Sequence, residues 1–328
     1  MKTCRFVPRV LLYRRLRLAI ALVLTMAAAV VGLSPVTVSA AEGTWTDQRA
    51  VGGGSNRSPA QATFNGRLYM AWKGAGDDSR IFFSSSTDGR TWTPQSPLVG
   101  GTSTAPALAS FEGRLYLVWK GVGDDPRIFF SSSADGSTWT DQRPLVGGTS
   151  VSPALAAFNG RLYLVWKGTG NDPRLFYAST ADGASWTHQY DVTGDERTDA
   201  APTATAFDGE LHLAWKGEGE GRVYHATSTG GQWSQRGVLR GVGGTSHGPA
   251  LTVFHDALFV AWKGVGEDQR LFYNASTDGQ NFGTQAAVGG GTSNGPSLTV
   301  FDNRIYLAWK GAGGDQRIFS SSSTDARP

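Results

Sequence analysis

The sequence predicts an all-β fold, a six-bladed β-propeller of four-stranded blades, and three observations carry that expectation. The tripeptide Trp-Lys-Gly occurs six times, at Trp72, Trp119, Trp166, Trp215, Trp262 and Trp309, in steps of 47, 47, 49, 47 and 47 residues. A period in the forties made of strand-like segments and turn residues marks blades stacked in a ring rather than a string of domains. Each period holds four short strand-like runs, and the two ends of the chain carry complementary pieces of a single blade.

Ahead of the repeats, residues 1–40 read as a secretory signal peptide. Lys2, Arg5, Arg9, Arg14, Arg15 and Arg17 precede an apolar run from Leu18 to Leu33, and Val38-Ser39-Ala40 offers a small-residue cleavage site. Arg14-Arg15 hints at twin-arginine export. On this reading the protein is secreted, and residues 41–328 form the propeller. The leader holds six of the 30 basic residues and none of the 27 acidic ones, which leaves 24 against 27 in the remainder. Such a mildly acidic chain without basic runs gives no electrostatic reason to expect nucleic acid, or a membrane once the leader is removed. The one cysteine, Cys4, leaves with the leader. Stability is then expected from packing and ring closure, with no disulfide, no thiolate zinc site and no cofactor.

One clean period runs from Pro106 to Val146. The strand-like runs are Pro106 to Phe111, Arg114 to Gly121, Arg127 to Ser133, and Ser137 through Trp139 to Val146. Asn65-Gly66, Glu112-Gly113, Asn159-Gly160 and Asp208-Gly209 suit tight hairpins between the first and second strands. In the second strand Leu115, Leu117 and Trp119 alternate with Tyr116, Val118 and Lys120, so both faces are largely apolar, as a blade packed on two neighbours requires.

At the ends of the chain, Gly43-Thr-Trp45-Thr-Asp-Gln matches the fourth strand of a repeat but precedes every other strand, whereas the last repeat stops at Pro328 where a Trp-bearing strand is due. The N-terminal strand is therefore expected to complete the sixth blade and remove two open edges. A ring closed in this way hides its own edges, and a monomer is expected.

With strands ordered from the axis to the rim, the loop after the second strand shares one face with the loop that leads into the next blade. The first of these loops reads Trp-Lys-Gly-x-Gly-x-Asp-x-Arg in five repeats: Trp72, Lys73, Asp78, Arg80; Trp119, Lys120, Asp125, Arg127; Trp166, Lys167, Asp172, Arg174; Trp262, Lys263, Asp268, Arg270; Trp309, Lys310, Asp315, Arg317. The second loop carries Gly-Gly-Thr-Ser at Gly100–Ser103, Gly147–Ser150, Gly243–Ser246 and Gly290–Ser293. The fourth repeat departs from both patterns, with Glu220-Gly221 in the first loop and Thr193-Gly-Asp-Glu before it, so its site is expected to be altered. A carboxylate beside a guanidinium or ammonium complements a vicinal diol, whose hydroxyls donate and accept. These 20 residues are the candidate ligand-binding set. An ion pair tying neighbouring blades is the competing role for Asp and Arg. For each Trp the choice lies between stacking on a sugar and packing in the core.

The hairpin Ser86-Thr-Asp88-Gly89-Arg-Thr-Trp92, repeated around Asp135, Asp182 and Asp278, resembles the Asp-box of sialidases, shorter by one residue between Asp and Trp and with Phe282 in the fifth copy. That resemblance implies the propeller fold and a structural carboxylate. The six near-identical blades are similar to the six-bladed fucose-binding and tectonin-type lectins, which implies one sugar pocket between each pair of blades.

Catalysis needs a constellation that occurs once, and no paired carboxylate or nucleophile with its base stands out from the repeats. The Arg-Ile-Pro segment of sialidases is absent, and His188, His212, His225, His247 and His255 share no common slot. Neither a metal nor a catalytic residue is assigned. Repetition favours multivalent binding of glycans or glycoconjugates, that is, a lectin. A sialidase-like glycoside hydrolase and a protein-binding scaffold are the alternatives.

Overall fold

The computed structural model describes residues 44–192, 197–234 and 237–327. The expected signal peptide and Thr193-Gly-Asp-Glu lie outside the described residues. Among the described residues, 24 strands form six antiparallel sheets of four strands, with no helix among them. The predicted six-bladed propeller is the fold observed.

Each blade runs outward from its first strand, as in Ala60–Phe64, Arg67–Lys73, Arg80–Ser86 and Ser96–Gly101 of blade one. The first hairpin closes through Asn65 and Gly66, with φ values of 45° and 67°. That pair of left-handed residues matches the twist of the two strands it joins. Second strands are buried on both faces, while fourth strands are largely exposed at the rim.

The core lies between blades rather than around one centre. Trp166 packs against Val118 and Ile128 of the preceding blade, Trp119 against Ala71 and Ile81, and Trp72 against Ala308 and Ile318 across the seam. A second tie crosses each interface in the hairpin before the fourth strand. A Cβ on Gly183 would lie 1.8 Å from Tyr116 Oη of the preceding blade, and Gly183 has a φ of 70°, so only glycine fits there. Within that hairpin of blade one, Asp88 Oδ1 accepts from the Arg90 and Thr91 amides at 2.8 and 2.7 Å and from Ser86 Oγ at 2.9 Å. These bonds hold its carboxyl well below the usual carboxylate range.

The ring closes as expected, with one shift in position. The strand that completes blade six is Arg49–Gly54, which pairs with Arg317–Ser323, while the Trp45 stretch lies just before it and makes a separate contact. There the Thr46 amide donates to Ser322 O at 2.9 Å and Ser321 Oγ donates to Thr46 O at 2.5 Å. Above the axis-facing positions Gln61, Leu108, Leu155, Ala204, Leu251 and Leu298, the ring encloses a central cavity.

Candidate functional site

The loop after each second strand is built around its lysine. In blade two the chain leaves Lys120, turns through Gly121 and Gly123, and rejoins the sheet where the Gly121 amide donates to Arg127 O at 2.9 Å. Inside this turn Lys120 Nζ donates to Gly123 O at 2.6 Å, Ser103 Oγ at 3.0 Å and Gly121 O at 3.2 Å. Lys73 makes the equivalent bonds to Gly76 O at 2.8 Å, Asp78 O at 3.0 Å and Gly74 O at 3.2 Å. Lys167, Lys263 and Lys310 repeat the arrangement, each with a loop glycine carbonyl and a serine hydroxyl of the adjoining loop. The six lysines are 3–7% exposed, and burial lowers the pKa of Lys73, Lys120, Lys167, Lys263 and Lys310. This corrects the ligand-binding expectation for those five: each buried ammonium is spent on carbonyls of its own loop, and Lys120, Lys167, Lys263 and Lys310 also hold a serine of the adjoining loop.

The tryptophans also move from the ligand side to the core. Trp72, Trp119, Trp166, Trp262 and Trp309 are 0–1% exposed. The strand that passes over each ring explains why. A Cβ on Gly100 would come within 2.7 Å of Trp119 Cζ2, and Gly147 stands over Trp166 in the same way at 2.5 Å. The Gly-Gly pairs are therefore a backbone lid seated directly on the ring. The five tryptophans meet the neighbouring blade, and none is open to a sugar.

What remains exposed is a layered column. The Trp119 ring stacks on Phe129, its partner across the sheet, with centroids 6.2 Å apart and planes 24° apart. Over the outer face of Phe129 lies the Arg127 guanidinium, 5.0 Å from the ring centroid. Asp125 locks that guanidinium in plane, accepting from Arg127 Nε at 2.9 Å and Nη2 at 2.8 Å, and from the Arg127 amide at 3.0 Å. A planar fork held by two carboxylate oxygens on an aromatic base is far more ordered than an ordinary surface arginine. Arg127 nonetheless leaves 64% of its side chain in solvent.

Asp78–Arg80 on Phe82, Asp172–Arg174 on Phe176, Asp268–Arg270 on Phe272 and Asp315–Arg317 on Phe319 repeat the column, with ion-pair distances of 2.7 to 2.8 Å. Hydrogen bonds from the arginine hold Asp78, Asp268 and Asp315 at a pKa of about 2. The phenylalanines were absent from the sequence-based set, although the Arg-x-Phe spacing on a strand places both side chains on one face.

Arg80 pairs in register with Gly101, and Arg127 with Gly148. On the other side of that glycine stands the next blade: a Cβ on Gly101 would lie 3.0 Å from Val122 Cγ2, and Val122 is an exposed apolar residue. A shallow groove results, with the Asp–Arg clamp on one wall, a bare Gly-Gly backbone as floor and a small side chain opposite: Val122 across from Arg80, Thr169 across from Arg127, Ala312 across from Arg270 and Ala75 across from Arg317.

Blade four breaks the column. Lys216 pairs with Asp199 at 2.6 Å, Tyr224 takes the aromatic place and donates to Glu220 Oε1 at 2.5 Å, and Arg222 Nε stands 3.9 Å from Glu220. In blade three, Arg174 gains a second carboxylate, Asp191, at 3.8 Å. The groove is thus complete at four places, beside Arg80, Arg127, Arg270 and Arg317. Among the described residues no cluster of three or more His, Cys, Asp or Glu side chains has the geometry to hold a metal ion.

Known structures share this architecture. A Hadza microbial sialidase superposes with a TM-score of 0.64 at 16% identity, over 81% of this chain and 65% of its own, so the chain spans about two thirds of that enzyme's length. The Aleuria aurantia lectin in complex with Fucα1-6GlcNAc gives 0.61 at 13% identity, over 80% of this chain and 91% of the lectin. For a Trypanosoma rangeli sialidase in complex with sialic acid the values are 0.56 and 13%, over 83% and 54%. At such identities the likeness is one of fold. No curated protein matches the sequence. A family model, the DUF6242 beta propeller domain, matches residues 41–205, half of the chain, and the protein belongs to that family.

Proposed function

We propose that this protein is a secreted, multivalent carbohydrate-binding propeller, exported by the leader in residues 1–40. The observation that carries this reading is the repeated exposed column, in which an aromatic base and an aspartate hold a guanidinium beside a bare glycine floor. Arginine Nη1 donors and the outer carboxylate lone pairs suit neighbouring sugar hydroxyls, and the floor exposes backbone groups to a third. Val122, Ala312, Ala75 and the methyl group of Thr169 offer a small apolar contact to a sugar face. The proposed ligand contacts are Asp78 and Arg80, Asp125 and Arg127, Asp268 and Arg270, and Asp315 and Arg317, while Asp172 and Arg174 form a weaker fifth site. Support also comes from the fold, since the Aleuria aurantia lectin is described with a bound fucosylated sugar and the Trypanosoma rangeli enzyme with sialic acid. A single shallow groove binds weakly, and four on one ring raise avidity by a factor of about 100 or more on a multivalent surface.

A glycan array with the chain from residue 41 onward, followed by calorimetric titration of the best hit, tests the reading. Four equivalent sites are expected, and Arg127→Gln should reduce that number by one while leaving the melting temperature nearly unchanged. Six equivalent sites would contradict the assignment. Turnover of an aryl glycoside that disappears on replacing one carboxylate would turn the reading toward a hydrolase, and a silent array with a captured protein partner toward a scaffold.

A further inference from the structure

The repeat holds one more polar constant, which neither the clamp nor the lid uses. Three residues after the aromatic of each Asp-box-like hairpin stands a glutamine: Gln48 after Trp45, Gln95 after Trp92, Gln142 after Trp139, Gln189 after Trp186 and Gln285 after Phe282. All five are exposed, and none makes a hydrogen bond among the described residues. Four of them share a resting place in the grooves. A Cβ on Gly53, Gly100, Gly147 or Gly290 would fall within 3.0 Å of Oε1 of Gln95, Gln142, Gln189 or Gln48, respectively. Each of these glycines is the first of the pair that floors a groove, and the second meets the small residue of the same neighbouring blade. The wall facing Arg80 is therefore Val122 with Gln142, and the wall facing Arg127 is Thr169 with Gln189. Ala312 with Gln48 faces Arg270, and Ala75 with Gln95 faces Arg317. Every complete groove has its glutamine.

Packing gives no reason for an amide in this position. The tryptophan beneath is already covered by the glycine lid, and an exposed glutamine resting on a glycine gives up rotamer freedom for a weak contact between its oxygen and the backbone. What the amide adds is hydrogen-bonding capacity, with two donors on Nε2 and a further lone pair on Oε1 unspent. The clamp across the groove differs in kind. Its guanidinium and carboxylate stand 2.7 to 2.8 Å apart and cancel, so it offers donors and acceptors with no net charge left for an anion. One wall thus suits a diol, and the other suits an amide that carries a methyl group.

We propose that the four grooves take neutral 2-acetamido sugars, with ring hydroxyls on the Asp–Arg clamp, the acetamido oxygen on glutamine Nε2 and the acetamido methyl against Val122, Thr169, Ala312 or Ala75. The assignment rests on the carbohydrate reading of these grooves and narrows it to one class of sugar. In such a sugar the acetamido group and the two hydroxyls next in order sit on consecutive ring carbons, so a single ring serves both walls at once. The acetamido N–H points away from its carbonyl, toward the bare glycine floor, where a backbone oxygen is the natural acceptor. An acidic sugar finds no free cation here, because each arginine is already matched by its own aspartate.

Two pairs of methyl glycosides test it, the N-acetylglucosaminide against the glucoside and the N-acetylgalactosaminide against the galactoside, with methyl N-acetylneuraminoside as the acidic probe. NMR titration of the chain from residue 41 onward gives the affinities, and the glutamine side-chain amide resonances report where each probe sits. In at least one pair the acetamido member should bind about tenfold or more tighter, the effect of one hydrogen bond and one buried methyl group. It should shift the amide resonances of Gln48, Gln95, Gln142 and Gln189, and the plain hexoside should leave them in place. Changing all four glutamines to leucine should lower affinity for the acetamido member to that of its hydroxyl partner, with the melting profile unchanged. Arg80→Gln should suppress the shift of Gln142 and spare that of Gln189, because clamp and amide of one groove come from neighbouring blades. Plain hexosides that bind without any acetamido preference would overturn this assignment and leave the carbohydrate reading standing, whereas no binding of any glycoside at about 10 mM would overturn both. An acetamido preference that survives the four leucines, or tighter binding of the acidic probe than of the neutral ones, would also overturn it.

Discussion

Replacing Lys120 by methionine distinguishes a lysine that binds ligand from one that fastens a loop. The substitution keeps the length and apolar stem of the side chain and removes only the ammonium. Three bonds disappear, to Gly123 O, Ser103 Oγ and Gly121 O. Bonds from a charged donor contribute about 1.5–3 kcal/mol each before compensation. Two effects reduce that sum. Burial disfavours the charged form of Lys120, and that cost is recovered when the charge goes. Ser103 Oγ also lies 3.2 Å from Gly121 O and 3.4 Å from Gly123 O, so it takes over part of the acceptor capacity. The net loss is about 2–3 kcal/mol, a fall in melting temperature of about 4–6 °C for a domain of this size. Thermal unfolding at a fixed scan rate reads the loss, and titration with the array's best glycan should still count the same number of sites. A melting point within about 1 °C of wild type, with one binding site missing, would refute the structural role of the lysine.

Gly100→Ala forces a left-handed φ of 85° on alanine and drives its Cβ to 2.7 Å from Trp119, so a loss of about 2–4 kcal/mol is expected by urea titration. Gly113→Ala, with a φ of 68° and open space around it, should cost only about 1 kcal/mol. Asp78, Asp268 and Asp315 have a folded-state pKa of about 2 against 3.8 when free, so their stabilising effect is present above pH 3.8 and lost as pH falls toward 2. A series of melts from pH 5 to pH 2 should show that decline, flattened at high salt. His212 Nδ1 lies 2.9 Å from His225 Nε2, and burial lowers both, His225 to about 4. Stability should therefore drop as pH falls from 6.5 to 4, and His225→Phe should remove that step from the melting profile.

The blade count, the four-strand unit and the seam were legible because they rest on spacing, which short hairpins translate directly into sheet order. The orientation of Trp119 was not. In a second strand with two apolar faces, alternation has no sign, and the answer lies in Gly100, a residue of the preceding blade that comes to rest on the ring. The place of Lys120 was hidden for a related reason. A lysine at a strand end is normally solvated, and it becomes buried only when its own loop folds back and presents Gly121 and Gly123 carbonyls to it. Asp125 and Arg127 pair within one loop rather than across two blades, and their aromatic base, Phe129, lies outside the set that the repeat pattern marks. The axial column around the central cavity has no repeat to mark it: Arg57, His247 and Asn294 stand out only as departures in a column whose neighbours are constant.

The seam between Arg49–Gly54 and Arg317–Ser323 has a kinetic consequence. Five blades assemble from hairpins that are close in the chain, but the sixth joins Thr46 to Ser321 across a separation of 275 residues. Bringing ends that far apart together costs about 5 kcal/mol of chain entropy, against about 3 kcal/mol for a single repeat. The last blade should therefore be the slowest to complete and the first to open. Until it docks, a nearly finished ring presents the bare edge of Arg317–Ser323 to other molecules, and intermolecular strand exchange is the failure to expect. Moving the chain break between two other blades by circular permutation would relocate that weak point without altering one contact of the native ring.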